Sequence, residues 1–274
     1  MQGGGRIEMS ELRFLSFSSG SSGNCYFLGN DKCGILIDAG VSLRRLKQYL
    51  TANNMSFDSF SAILITHDHM DHIRSLGSYC KKLMKPVYAT EVLHNALAYR
   101  HFAVPFMDSC RKELKEGEWN EVGDFKVRYF IVPHDATQTV GYAIQYEDRK
   151  FVLMTDMGRM TDEAIEFAKE ADTVVVESNY DVDMLLSGPY THELKMRICQ
   201  GNGHLSNDEC GMAIRRFYHP GLKNLFLCHL SNNNNTPELA YNNALSVLDA
   251  LGVERGTINL RALPRTSPTP LIYL

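Results

Sequence analysis

One segment limits this chain more than any other: Thr66-His67-Asp68-His69-Met70-Asp71-His72, which begins at the end of the apolar run AILIT (residues 62–66). His67, His69, Asp71 and His72 form an H-x-H-x-D-H pattern at the end of a predicted strand. Imidazole nitrogens and carboxylate oxygens at this density suit Zn²⁺ or another borderline divalent ion. His67 and His69 can converge on one ion at the strand end, while Asp71 and His72 enter the next turn and face a second. A solvated polar turn that happens to hold histidines is the competing reading. Only the metal reading requires further ligands elsewhere in the chain.

Candidates for those ligands occur in matching settings. FIVP ends in His134, FVLMT ends in Asp156, and LFLC ends in His229. Each follows a short apolar strand, as His67 does, and strand C-termini form the functional edge of α/β sheets. The inferred site holds His67, His69 and His134 around one ion and Asp71, His72 and His229 around the other, with Asp156 bridging them. Two divalent ions (zinc, manganese or iron) ~3.5–4 Å apart bind a bridging water and lower its pKa towards ~7, giving a hydroxide nucleophile. Asp71 has two expected jobs, as ligand and as acceptor orienting that water. The reaction class is hydrolysis.

The remaining sequence fits a globular α/β chain. Its 274 residues carry a net charge of −4, with 44% hydrophobic and 22% charged residues, which excludes disordered, collagenous and coiled-coil classes. No stretch reaches the ~18–20 uninterrupted apolar residues of a membrane helix. Residues 1–10 read as a flexible polar leader without the apolar core of a signal peptide, so a cytoplasmic location is expected. Seven cysteines at scattered spacings, with no C-x-x-C, indicate neither a disulfide framework nor a thiolate zinc site. Apolar runs predict strands at 12–17, 25–28, 34–38, 62–66, 87–89, 125–132, 140–146, 151–155, 173–177, 225–228 and 257–262. Helical spacing covers 41–53, 73–83, 162–170, 209–217 and 237–251. This order starts β-rich and then becomes mixed, which favours helix-covered sheets over a TIM barrel. One domain is expected over residues 11–274.

The ligand pattern from His67 to His229 resembles the metallo-β-lactamase superfamily. That resemblance implies an α/β fold, an αββα sandwich of two packed mixed β-sheets flanked by helices, with a dinuclear site at one edge. It fixes the fold better than the substrate, since the superfamily includes lactamases, thioesterases, lactonases, phosphodiesterases and nucleases. Gly20-Ser21-Ser22-Gly23-Asn24-Cys25, Asp38-Ala39-Gly40, Pro133-His134-Asp135-Ala136, Glu177-Ser178-Asn179, Gly203-His204-Leu205-Ser206-Asn207 and His229-Leu230-Ser231 narrow it further. Together they are similar to the YycJ/WalJ group of bacterial metallo-hydrolases, for which 5′→3′ exonuclease activity on double-stranded DNA is implied. Where that group's pattern has a His after Glu-Ser-Asn, this chain has Tyr180. Gly203-His204-Leu205-Ser206 also resembles a Gly-His-Ser-Thr segment of tRNA 3′-processing endonucleases, which implies His204 as general acid. The alternative is a histidine capping the next helix. Ser206 or Asn207 is expected at that helix's N-cap. Asn179, Ser206, Ser231 and Asn235 are the candidate substrate-binding residues.

A nucleic-acid partner has only local support in the charge pattern. Arg44-Arg45-x-Lys47, Lys81-Lys82-x-x-Lys85, Arg111-Lys112-x-x-Lys115 and Arg215-Arg216 are basic clusters, but such clusters are usually solvated faces. Only 73 positions separate Asp156 from His229, too few for the long extra domain of β-CASP nucleases. Three readings stay open: a DNA exonuclease; a small-molecule hydrolase acting on a thioester, lactone or cyclic phosphodiester; and a non-catalytic metal-binding module. No sequence pattern specifies an oligomeric state.

Overall fold

The strand Phe125–Val132 alternates buried and more exposed residues, whereas Asn224–Cys228 is buried throughout. Alternation marks a sheet with one wet face, and continuous burial marks strands covered on both faces. A computed structural model describes residues 11–100 and 104–274, and the expected leader at 1–10 lies outside the described residues. The first sheet contains β1 (Arg13–Ser18), β2 (Cys25–Gly29), β3 (Gly34–Ile37), β4 (Ala62–Leu64), β5 (Val87–Ala89) and β6 (Arg111–Glu113). The second contains β7 (Asn120–Val122), β8 (Phe125–Val132), β9 (Thr139–Tyr146), β10 (Arg149–Met154), β11 (Thr173–Glu177), β12 (Asn224–Cys228) and β13 (Asn259–Ala262). A final strand, β14 (Ile272–Tyr273), returns to the first sheet. The orders are β14-β1-β2-β3-β4-β5-β6 and β13-β12-β11-β10-β9-β8-β7, both mixed.

The helices are α1 (Leu43–Ala52), α2 (Met70–Ile73), α3 (Leu76–Leu83), α4 (Glu91–Leu97), α5 (Val104–Met107), α6 (Asp162–Ala168), α7 (Val182–Ser187), α8 (His192–Cys199), α9 (Asn207–Phe217) and α10 (Pro237–Ala250). Aromatic side chains join the sheets. Phe14 of β1 stacks on Phe226 of β12 at 5.4 Å and meets Phe151 of β10 at 5.6 Å. Full burial of such a side chain stabilises by ~1.5–3 kcal/mol. Val175 and Phe226 face this inner core, while Val174, Val176, Leu225 and Leu227 belong to a second core with residues of α6, α9 and α10. Leu46, Leu50, Tyr79, Leu93 and Leu97, from α1, α3 and α4, join the core that contains the first sheet. The αββα layering expected from the sequence is therefore present.

Local differences have local causes. The helix expected at 73–83 is interrupted at Ser75, whose N–H donates to the Ala39 carbonyl at 3.0 Å and so ties the chain to the segment after β3. The strand expected from 257 starts at Asn259, because Thr257 closes a turn onto the Glu254 carbonyl. Parallel pairing of β10, β11 and β12 puts their C-terminal ends on one edge, and β8 runs the same way through antiparallel β9. In the first sheet β3 and β4 are also parallel. Among the described residues no helix is long and apolar enough to cross a membrane.

Candidate active site

Beyond β4 the chain stays buried through Ile65, Thr66 and His67, and then turns into α2 with His69 at its N-cap. The segment after β3 lies directly against this turn. Ala39 N–H donates to the His72 carbonyl at 2.7 Å, and Asn24 N–H donates to the Asp71 carbonyl at 2.8 Å. Gly40 makes the approach possible: a Cβ there would lie 1.7 Å from the Asp71 carbonyl oxygen. His67, His69, Asp71 and His72 are thus fixed by contacts to two earlier loops.

Hydrogen bonds at the far side of each ring set which nitrogen is bare. Thr66 donates its N–H and hydroxyl to Asp38, at 2.8 and 2.9–3.0 Å, and its hydroxyl oxygen stands 3.0 Å from His67 Nδ1. Asp38 also accepts from His72 Nδ1 at 2.7 Å. His134 Nδ1–H donates to the Gly203 carbonyl at 2.8 Å, and His69 Nε2–H to the Asp135 carbonyl at 3.2 Å. The nitrogens left facing inward are His67 Nε2, His69 Nδ1 and His134 Nε2, from three residues whose donor atoms lie within 4.8 Å of one another. Such outer partners orient ligating imidazoles and fix their tautomers.

The second group comprises Asp71, His72 and His229, also within 4.8 Å. Asp71 Oδ2 is 3.6 Å from both His72 Nε2 and His229 Nε2. Asn24 Nδ2 lies 2.8 Å from His72 Nε2 and 3.2 Å from Asp71 Oδ2. Asp156 stands between the groups, with Oδ2 3.2 Å from His72 Nε2 and Oδ1 3.8 Å from His134 Nε2. His67 Nε2 and His229 Nε2 are buried nitrogens without a hydrogen-bond partner. Orphaned buried nitrogens aimed into a His/Asp cluster fit divalent cations, the chemistry for which this donor set is suited. All seven residues expected from the sequence as ligands are brought together.

Behind them lies a fully buried carboxylate, Glu177. Its Oε1 accepts from His204 Nδ1 at 2.8 Å and His229 Nδ1 at 2.9 Å, and its Oε2 from the N–H groups of Met157 and Leu205 at 3.0 and 3.1 Å. Burial alone would raise its pKa, but His204 and His229 outweigh that and hold it at about 2. Burial likewise favours neutral Asp156, yet His229 and His72 keep it well below the carboxylate range. For His72 burial acts downward while Asp38 and Asp156 raise it to about 10. His67 and His134 are pushed down, chiefly by burial, and so present neutral imidazoles. This is a pocket with excess negative charge, where dications would replace protons.

Three of these strand-end residues adopt left-handed backbone: Asp38 (φ 66°), Asp156 (φ 53°) and His229 (φ 53°). Left-handed non-glycine residues cost on the order of 1–3 kcal/mol each and persist where surrounding contacts hold them, as the bonds above do here.

His69, Asp71, Asp156 and His229 line a cavity of about 390 Å³. His204, Asn179 and Ser231 line it, as do Ser21 and residues of α8. Asn179 is also committed to the His229 carbonyl at 2.7 Å. Ser206 and Asn235 do not line the cavity. Ser206 caps α9 through a reciprocal pair with Glu209, and Asn235 donates to the carbonyls of Ser178 and Asn179 at 2.9 and 3.0 Å. Their polar atoms are used in holding loops together. Tyr180 is buried and bridges to Ser206, so it presents no group to the cavity. Asp38 and Glu177 are the functional residues that ligand spacing alone did not identify. Each ends an apolar strand, GILID and TVVVE, which is the same signal that identified Asp156.

Comparison with known proteins matches this geometry. A family model described as the beta-lactamase superfamily domain matches residues 34–229. The chain is 36% identical over 236 residues to the exodeoxyribonuclease WalJ of Streptococcus pneumoniae serotype 2, covering 85% of this chain and 87% of that protein. It is 35% identical over 264 residues to the exodeoxyribonuclease YycJ of Bacillus anthracis, covering 96% and 99%. Zn²⁺-bound PqqB of Methylobacterium extorquens shares the fold, with a TM-score of 0.68 at 17% identity over 94% of this chain and 99% of that one. A family match across the whole ligand set, together with these two long matches, makes this chain a member of the metallo-β-lactamase superfamily, in the group that holds WalJ and YycJ.

Proposed function

We propose that this chain is a metal-dependent exodeoxyribonuclease that degrades duplex DNA from 5′ ends in the cytoplasm. The observation that carries the reading is a triad of histidines and an Asp/His/His triad set beside a Glu177-anchored imidazole, on a chain matching two proteins named exodeoxyribonucleases. His67, His69 and His134 would hold one divalent ion and Asp71, His72 and His229 the other, with Asp156 shared; zinc, manganese and iron all suit this donor set. Bound there, such ions supply a lowered water pKa and neutralise phosphate charge.

The chain's own groups do the rest. Asp71 stays ionised, because the nearby His229 and His72 rings outweigh burial and lower its pKa, and its carboxylate orients the attacking water. Burial works against a charged His204, but Glu177 outweighs it and raises its pKa, so the ring holds its proton to higher pH than an ordinary imidazole. With Nδ1 engaged by Glu177, His204 Nε2–H is the donor for the departing oxygen. Asn179 and Ser231 are the candidates for phosphate contacts, since both line the cavity.

The test is digestion of 5′- and 3′-labelled duplex DNA by metal-loaded protein, with Asp71→Asn alongside. Progressive loss of 5′ label by the wild type alone is the expected result. Hydrolysis of a small ester or diester with intact DNA would assign the chain to small-molecule chemistry instead.

A further inference from the structure

The cavity walls carry several acids, Asp71, Asp135 and Asp156 among them, and a single Lys or Arg, Arg197 of α8. Arg197 Nε and Nη2 both contact Asp135 Oδ2 at 2.5 Å, while the side chain remains 64% exposed. A guanidinium carries five N–H donors in a planar fork, so the outer ones stay available to an incoming anion. Tyr190, Leu194 and Ile198 line the cavity beside it, giving one wall an aromatic ring, two aliphatic side chains and one permanent cation. Tyr190 is steadied by Asn233, whose amide donates to its hydroxyl at 2.9 Å.

This wall is rigidly coupled to the ligands. Gly203, just past α8, accepts from His134 and is packed so closely that a Cβ would lie 2.0 Å from the Ile198 carbonyl. The end of α8 that carries Arg197 is therefore tied to the His134 side of the site. Within a dinuclear site the scissile phosphate is neutralised by the ions, but a polynucleotide brings further phosphates that the ions do not reach. An aromatic-plus-arginine wall matches a nucleotide, since bases stack on aromatic rings and guanidinium groups pair with phosphate.

We infer that Arg197 anchors the phosphate next to the scissile one, and that Tyr190 with the Leu194/Ile198 face of α8 seats the adjoining nucleoside. The inference rests on the nuclease reading and specifies how a polynucleotide is told from a small ester. Asp135 then has a second role, holding the fork in place until substrate arrives.

The test compares metal-loaded wild type, Arg197→Gln, Arg197→Lys and Asp135→Asn on a short labelled DNA duplex at several salt concentrations, and on bis(p-nitrophenyl) phosphate. Arg197→Gln should raise KM for the duplex, with a loss in kcat/KM at least about tenfold greater than on the small diester. The slope of log KM against log salt should fall by about one, as loss of one phosphate contact requires. Arg197→Lys should restore the salt slope, and Asp135→Asn should leave it in place. Equal losses on both substrates, or an Asp135→Asn variant that reproduces Arg197→Gln, would make Arg197 a structural partner of Asp135 and overturn the anchor. Duplex cleavage that is unchanged in Arg197→Gln fails the anchor alone. A wild type that leaves the duplex intact fails the nuclease reading and the anchor with it.

Discussion

At the scale of single residues, one carboxylate governs two histidines of the cluster. Asp38 holds His72 directly and His67 through Thr66, so its loss frees both rings to turn or change tautomer. Asp38→Asn keeps a residue type that tolerates left-handed backbone while removing the charge. Metal affinity should fall ten- to a hundredfold by titration calorimetry, and undiminished affinity would show that Asp38 is not needed for ligand placement. His204→Ala separates catalysis from coordination: turnover should drop about 10²–10⁴-fold with bound metal, read by elemental analysis, unchanged. Loss of metal in that variant would make His204 a ligand. The strand-end pattern made the cluster of seven His and Asp residues legible because metal chemistry would require particular residue types. Asp38 and Glu177 use the same position for a different purpose, supporting ligands, and that purpose becomes visible only once His204 and His229 stand beside Glu177.

Among the elements, those with a strong apolar rhythm were legible and those without one were not. α8 has no fully buried residue, β6 is exposed throughout, and β14 spans two residues. Nothing in their local sequence distinguishes them from loop, yet α8 supplies a wall of the cavity. α4 was also missed, and it buries His94, whose Nε2–H donates to the Lys112 carbonyl at 2.8 Å while Nδ1 is buried without a partner. Burial holds the His94 pKa below its ordinary 6.5, so the folded chain resists a proton that the unfolded chain accepts. His94 thus detracts nothing above that pH, and stability is lost as pH falls below it. Urea midpoints of wild type and His94→Asn should diverge in pH dependence between about pH 7 and pH 5, the variant being flatter. Parallel curves would mean that His94 does not contribute to acid sensitivity. Gly40→Ala tests the contact of the β3 loop with α2. The added Cβ would lie 1.7 Å from a carbonyl oxygen, and thermal melts should show destabilisation of several kcal/mol or failure to fold.

Across the whole molecule, the layered fold was legible because alternating and continuous apolar runs say which faces are covered. The proposed ligands divide between its halves: His67, His69, Asp71 and His72 follow strands of the first sheet, while His134, Asp156 and His229 follow strands of the second. Ions held by both sets would join the two sheets. At metal concentrations a hundredfold above the dissociation constant this adds about 2.7 kcal/mol, so chelation should lower the melting temperature by about 5–10 °C. Calorimetry with and without EDTA checks this, and identical melts would mean that binding leaves the sheets' association unaffected. A different long-range link closes the edge of the first sheet, where β14 pairs with β1 and Thr269 Oγ1 accepts from Ser16 N–H across 253 positions. During synthesis β1 emerges early and its closing neighbour very late. For most of translation this hydrophobic strand has an open edge, the kind of template that recruits other chains. The growing polypeptide therefore exposes that edge until the segment around Ile272 has emerged to seal the sheet.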